Sequence, residues 1–359
     1  MRILSVVGAR PQFVKLAPIA AALEGLADHV IIHTGQHYDD LMSDVFFRDL
    51  GIPVPKINLA VGSGSHGLQT GRMLQALEGE FRRLAPDWVL VYGDTNSTLA
   101  AALAAVKLHL PVAHLEAGLR SFNRRMPEEH NRVLTDHASD LLLAPTDAAM
   151  GHLQREGLAE RAVKVGDVMT DVLYKVRDHV LAVPPPTPYS LLPGEYYVAT
   201  LHRPDNTDDP HRLRSIVRAL ASLDRPIVLL AHPRLRALAE SHGIRLDEGR
   251  IRVHPPLPYP ELVAAVMNSA GVVTDSGGLQ KEAFLLRVPT TTIRNETEWV
   301  ETVKLGWNVL ANDVGDIVGA VTRPAPAPTT TSPYGEGSAA VRVAEELLRN
   351  RFGAYPSVP

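Results

Sequence analysis

The feature that constrains this chain most is a recurring alternation. Short apolar runs, each followed within a few residues by a polar or ionisable group, are separated by helical stretches. Runs of that kind read as strands buried on both faces, and their alternation with helices predicts a parallel sheet covered on both sides. The first series is Ile3–Val7, His29–His33, Trp88–Tyr92, Val112–Leu115, Leu141–Ala144 and Val163–Val165. Helices are expected around Val14–Leu23, at 39–50, over Leu68–Leu84 and Leu99–Leu108, and from Pro127 onward. A second series follows: Tyr196–Thr200, Pro226–Ala231, Ile251–His254, Gly271–Thr274 and Pro289–Ile293. Between the two lies Val183-Pro-Pro-Pro-Thr-Pro188, which can be neither helix nor central strand and reads as a stiff linker. A low-complexity loop over Pro324–Pro333 precedes a last helix at Gly335–Asn350.

The expected architecture is therefore α/β, with two Rossmann-like domains and a central cleft. The boundaries are 1–183 and 189–335, with a C-terminal helix and tail, 336–359, packing back on the first domain. At 359 residues the chain is longer than one hydrophobic core usually supports. Ligands of such sheets bind beyond the carboxyl ends of the strands. The polar residues in that position are Arg10, His37, Asp94, Glu116, His202, His232 and the pair Asp275-Ser276. Both halves load their strand ends with ionisable groups, which predicts an active site.

Composition removes several other functions. A formal charge of −4, with no basic run interleaved with aromatics, argues against a nucleic-acid surface. The absence of cysteine excludes disulfides, thiolate catalysis and cysteine-ligated metals. No HExxH or dense Asp/His cluster suggests a metal, and no GxGxxG suggests a nicotinamide cofactor. No apolar run is long enough to cross a bilayer, and the N-terminal run is too short for a signal peptide, so a cytoplasmic protein is expected.

The stretch GVVTDSGGLQKEA, Gly271 to Ala283, is the most informative in the second half. A strand stops at Asp275, Ser276-Gly277-Gly278 make a turn, and a helix starts at Leu279. Two glycines there allow close approach of a ligand, and the N–H groups of the first helical turn suit a diphosphate. Glu282 is placed to accept from a sugar hydroxyl. A plain turn with Ser276 as helix cap fits this stretch alone equally well.

In the first half three carboxylates stand out. Asp94 begins Asp-Thr-Asn-Ser before an alanine-rich helix, where capping is the commoner use. Glu116 ends an apolar strand in VAHLEAG, where a buried unpaired carboxylate would be costly. Glu128 follows Pro127 in a first helical turn, and Glu129 beside it suits either role. The candidate cations are Arg10, Lys15, Arg120, Arg132, His202 and Arg203. Arg132 sits four residues after Glu128, the spacing of a helical ion pair.

Taken together these segments resemble the non-hydrolysing UDP-N-acetylglucosamine 2-epimerases. The resemblance runs nearly end to end and rests on GARPQFVKLAP (8–18), HTGQHYDDLMSDVFF (33–47), VYGDTNSTLAAALAA (91–105), AHLEAGLRSFNRRMPEEHNR (113–132), LHRPDNT (201–207), TDSGGLQKEA (274–283) and ETEWVETV (296–303). It implies the GT-B fold, a homodimer, and an isomerase that interconverts gluco and manno epimers of a UDP-2-acetamido sugar with no added cofactor. UDP leaves carbon 1 as a base takes the carbon 2 proton, and UDP then adds back to the 2-acetamidoglucal with protonation on the other face. By motif, the resemblance makes Asp94, Glu116 and Glu128 the acid/base candidates, with His202 catalytic and, like Arg10, facing the diphosphate. Ser276, Gly277 and Gly278 would cradle the diphosphate and Glu282 would hold the ribose. Lys15, Arg132, Arg203 and His232 complete the expected nucleotide-sugar contacts.

Two departures bear on substrate and regulation. The substrate-activated members carry a QHREMLDQ-like helix where this chain has QHYDDLMSD, so that regulation is not expected here. GARPQF, RMPEE and ETEWVE together lean towards the branch that includes UDP-2,3-diacetamido-2,3-dideoxy-glucuronate 2-epimerases. UDP-N-acetylglucosamine is the first expectation and the diacetamido-uronate nucleotide the alternative. A glycosyltransferase of the same fold would need an acceptor groove, a hydrolytic epimerase would need water to capture the glucal, and a sensor would not need the carboxylates.

Overall fold

The structure, a computed structural model, describes residues 1–36, 54–185, 191–311 and 313–350. The expected helix at 39–50 and His37 lie outside the described residues. The chain divides into two compact units, Met1–Val172 with Pro333–Pro359, and Leu173–Ser332. The division falls inside the helix Val168–Ala182, ahead of the proline run.

The first unit is built on a seven-stranded sheet with the order β3-β2-β1-β4-β5-β6-β7. Its strands are β1 (Arg2–Val7), β2 (Asp28–His33), β3 (Ile57–Asn58), β4 (Trp88–Tyr92), β5 (Val112–Leu115), β6 (Leu141–Ala144) and β7 (Ala162–Lys164). Every pairing is parallel. Tyr92 lies opposite Leu115, so Gly93-Asp94 and Glu116 leave the sheet side by side. The inner strands are wholly buried because their side chains alternate between two cores. Leu4, Val6, Val89 and Val91 face one, with the alanines of the helix Asn96–Lys107. Ile3, Leu90, Tyr92 and Leu115 face the other, with Phe13, Leu16 and Ile19 of the helix Arg10–Leu23. Ala340, Val343 and Leu347 of the helix Ala339–Arg349 join that second core. The chain thus returns to the first unit, and Asp171 caps the returning helix by accepting from the N–H groups of Ala339 and Ala340.

The second unit repeats the plan with six parallel strands in the order β10-β9-β8-β11-β12-β13. They are β8 (Tyr197–Thr200), β9 (Ile227–Leu230), β10 (Ile251–His254), β11 (Gly271–Thr274), β12 (Thr290–Thr292) and β13 (Asn308–Leu310). Both sheets reverse direction beside their first strand, the doubly wound order of Rossmann folds. The reversal falls between β1 and β4 in one unit and between β8 and β11 in the other.

Two strands, β3 and β13, escape sequence reading because each is a two- or three-residue edge strand, too short to show a period. The helix starts also move. Gly277 and Gly278 are the first two residues of the helix Gly277–Leu285, so the turn expected over Ser276–Gly278 is a helix start instead, with Ser276 as its cap. The alanine-rich helix opens at Asn96, capped by Thr95. Asp94 lies outside the helix and does not cap it.

Candidate active site

The end of β1 is packed too tightly for any side chain at Gly8, where a Cβ would run into the hydroxyls of Thr34 and Ser97. Gln12, four residues on, is fully used. Its Oε1 accepts from the N–H groups of Gly8 and Ala9, and its Nε2 donates to Tyr92 O and Thr98 Oγ1. One side chain thereby ties the ends of β1 and β4 together at the reversal point. Arg10 opens the helix there.

Asp94 and Glu116 are each met by a cation. The Asp94 carboxylate pairs with Arg132, which also donates to Glu129 Oε2 at 2.9 Å. Arg132 therefore bridges Asp94 and Glu129, and the ion pair with Glu128 suggested by the four-residue spacing is not the pairing formed. Glu129 has a second task. It accepts from Ser121 N and Oγ and from Phe122 N, closing the polar loop before its helix. Burial alone would raise the Glu129 carboxyl, but these donors and Arg132 hold it below the usual carboxylate range.

Glu116 pairs with Lys15 of the helix Arg10–Leu23, and both side chains are largely buried. Burial pulls the Lys15 ammonium down, yet the adjacent Glu116, with Asp94 and Asp167 behind it, leaves it above its ordinary value. Lys15 thus enters the pair as an ammonium. Gly93 makes room for it: φ is +62° and a Cβ would sit 3.3 Å from both Glu116 Oε2 and Lys15 Nζ. Glu116 itself takes the left-handed conformation, with φ +75°, which is uncommon for a residue with a side chain.

Glu128 differs from the other two carboxylates. It is exposed and has no hydrogen bond or ion pair among the described residues. It lies on the helix Pro127–Ala138, three and four residues before Asn131 and Arg132. Asn131 donates to Asp94 O and Arg132 pairs with the Asp94 carboxylate, so Glu128 shares the helix face turned to Asp94. Arg120, a candidate from sequence, is buried in an ion-pair cluster with Asp136 and Glu156.

In the second unit Asp275 organises the reversal point. Wholly buried, it accepts from the N–H groups of His202 and Arg203 and from Asn206 Nδ2. His202 Nδ1 lies 2.8 Å from Asp275 Oδ1. Burial would raise the Asp275 carboxyl, but these donors hold it low. An ionised partner at Nδ1 fixes a proton on that nitrogen and turns Nε2 of a half-exposed ring outward. Ser276 Oγ accepts from Leu279 N, the ordinary cap.

The two glycines after Ser276 have unhindered backbones. A Cβ at Gly277 would meet only Arg294 Nη1 and Glu298 Oε2, at 3.8 and 3.9 Å, and one at Gly278 would meet nothing within 4 Å. The protein's own packing therefore does not demand glycine at either place. Glu282 accepts from Tyr259 Oη at 2.9 Å. His232 caps the helix Pro233–Ser241 through Nδ1 and is exposed.

Sequence reasoning passed over Gln12, His114, Asp136 and Tyr259. The first has a legible signal, an amide four residues after a strand-ending glycine; the others are recognised only by their partners. No group of acidic or histidine side chains suited to a metal occurs among the described residues, and no described helix is long and apolar enough to cross a membrane.

Two Rossmann-like units of order 3-2-1-4-5-6, the first extended by a seventh strand and each with ionisable groups at its reversal point, define an α/β protein of the GT-B class. Residues 21–348 match the family described as UDP-N-acetylglucosamine 2-epimerase, and the chain belongs to it. It is 46% identical to the UDP-2,3-diacetamido-2,3-dideoxy-D-glucuronate 2-epimerase of Pseudomonas aeruginosa, over 97% of this chain and all of the relative. It is 44% identical to a UDP-N-acetylglucosamine 2-epimerase homolog of Methanococcus maripaludis, over 98% of this chain and all of that one. The crystal structure of Methanocaldococcus jannaschii UDP-GlcNAc 2-epimerase in complex with UDP-GlcNAc and UDP is similar over 98% of this chain and 100% of that one. The TM-score is 0.83 and the identity 37%.

Proposed function

We propose that the protein inverts carbon 2 of a UDP-2-acetamido sugar, interconverting UDP-N-acetylglucosamine and UDP-N-acetylmannosamine. The observation that carries this reading is the pair of carboxylates, Asp94 and Glu116, leaving adjacent strands side by side, each with its own cation. The carbon 2 proton is not alpha to a carbonyl, so its removal has to be coupled to loss of the group on carbon 1. The carbon 1–oxygen bond breaks with its electron pair going to the departing diphosphate. A carboxylate takes the carbon 2 proton, and the carbon 1–carbon 2 double bond of a 2-acetamidoglucal forms. Return of UDP to carbon 1 with a proton delivered to the opposite face of carbon 2 completes the inversion. Acid/base groups are needed on both faces of one ring, and donors are needed where charge develops on the diphosphate.

Asp94, Glu116 and the unpaired Glu128 supply the first requirement. His202 Nε2, Arg10, Arg203 and the N–H groups of Gly277 and Gly278, behind the Ser276 cap, supply the second. Glu282, oriented by Tyr259, takes the ribose, while Lys15 and Arg132 pair with the two carboxylates and His232 stands at the outer edge of the nucleotide contacts. The chemistry needs no added cofactor. On this reading the protein works as a cytoplasmic homodimer of the kind the family resemblance implies.

The diacetamido-uronate nucleotide is the second reading, favoured by the 46% identity to the Pseudomonas aeruginosa enzyme. Proton NMR of the protein with UDP-N-acetylglucosamine in deuterated water tests both. A new manno anomeric signal with deuterium at carbon 2 is the expected result. Free N-acetylmannosamine with UDP would indicate hydrolysis. A blank with this substrate and turnover of the diacetamido-uronate would move the assignment to the second reading, and two blanks would remove epimerisation.

A further inference from the structure

We propose that His114 is a positioning residue for this chemistry, a buried imidazolium that clamps the two strand ends carrying Asp94 and Glu116. The inference rests on the reading of function above. His114 lies on β5, two residues before Glu116, and its side chain is completely buried. Nδ1 is 2.6 Å from Asp136 Oδ1, and Nε2 is 2.7 Å from Gly93 O. A carbonyl oxygen accepts only, so Nε2 carries a proton. Asp136 Oδ2 is occupied by Gly118 N and by Arg120 Nη1. Burial would push the Asp136 carboxyl up, but His114 and Arg120 hold it below the usual range. An ionised carboxylate also accepts only, so Nδ1 carries a proton as well. Beside the ring, Arg120 of the loop after β5 pairs with both Asp136 and Glu156.

The consequence for the site is geometric. The clamp holds Gly93 O, the atom before Asp94, and Gly118 N, two residues beyond Glu116. Both anchor residues and Glu116 are left-handed, with φ of +62° at Gly93, +75° at Glu116 and +82° at Gly118. A Cβ at Gly118 would come within 2.5 Å of Ala149 O, so that turn cannot slide. Buried ion clusters are rarely better than apolar packing for stability alone. This one is spent on the backbone beneath the two carboxylates.

Two measurements test it. In histidine-15N-labelled full-length protein at pH 8, where free histidine is neutral, both ring nitrogens of His114 should give protonated signals. They are assigned by their loss in His114→Gln. A neutral pattern, with one unprotonated nitrogen, overturns the proposal. Kinetically, His114→Gln should lower kcat about 100-fold, the scale of a misplaced reacting group. KM should stay within about threefold, and calorimetry should show unchanged UDP stoichiometry, which separates misplacement from loss of folded protein. A kcat within about threefold of wild type also overturns it. If His114→Gln does not fold, Asp136→Asn is assayed by the same criteria. Wild type that epimerises neither nucleotide sugar would sink the functional reading, and the NMR signature would still decide whether the doubly protonated clamp exists.

Discussion

The two reversal points share a topology and differ in how charge is handled. In the first unit the carboxylates of the candidate site are met by cations: Glu116 has Lys15, Asp94 and Glu129 share Arg132, and Asp136 lies between His114 and Arg120. In the second, one buried carboxylate, Asp275, is consumed by the backbone and by His202, and what faces outward is donors. A site that moves protons needs carboxylates held ionised but ready. A site that holds a diphosphate needs N–H groups with no competing anion. The same fold can meet either need, because the reversal point fixes only where side chains emerge and the residue types decide the chemistry.

The largest effect that would break this contrast is on turnover. Glu116→Gln and Asp94→Asn should each lower kcat by roughly 10²–10⁴-fold, the usual contribution of a general acid or base. UDP affinity should stay nearly unchanged. A comparable loss of UDP binding would mean that the first unit holds the nucleotide. Asp275→Asn should act in the opposite sense. It places an amide donor against the N–H groups of His202 and Arg203, so it should cost about 1–3 kcal/mol of stability in chemical denaturation. UDP affinity measured by calorimetry should fall at the same time.

A third prediction separates the units by pH. Burial lowers His29, on β2, to about 4, below its unfolded value near 6.5. The unfolded chain therefore binds the proton first. Stability from this group is complete above about pH 6.5 and is lost as pH falls towards 4, on the order of 1–3 kcal/mol. The low carboxylates, Asp28, Glu129, Asp136 and Glu156 in the first unit and Asp275 and Glu298 in the second, act later. Their contribution is complete above the ordinary carboxylate range and is lost only below it. Hydrogen exchange at pH 5 should therefore loosen β1 and β2 before β8 and β9, and equal loosening would contradict it.

The smallest effect concerns a single methyl group. Gly277→Ala meets no clash, so thermal stability should hold or rise by a few tenths of a kcal/mol, while UDP affinity falls about tenfold as the methyl enters the diphosphate's space. Unchanged affinity would remove Gly277 from the cradle.

Much of the fold was legible in advance because buried parallel strands are nearly continuous apolar runs. Trp88–Tyr92, Val112–Leu115, Leu141–Ala144, Ile251–His254 and Gly271–Thr274 are strands with those bounds. The candidate site was legible as a set of residue types at strand ends, and the structure places Asp94, Glu116, His202 and Ser276 at the two reversal points. Their partners were not legible. Arg132 stands at the helical ion-pair spacing from Glu128, yet it bridges Glu129 and Asp94. Lys15 reaches Glu116 across 101 positions of chain. His114 read as one more residue of an apolar strand.

What the sequence determined by itself is therefore the alternation of strand and helix, the doubling of that pattern, and the motifs that mark the family. These follow from periodicity and local backbone preference, which act over a few residues at a time. Only the tertiary structure decided which cation answers which carboxylate, which glycines are forced and which are left open, and that His114 lies between Asp136 and Gly93 O. Charge pairing and close packing depend on distances of a few ångströms between segments far apart in the chain, and no local pattern encodes them.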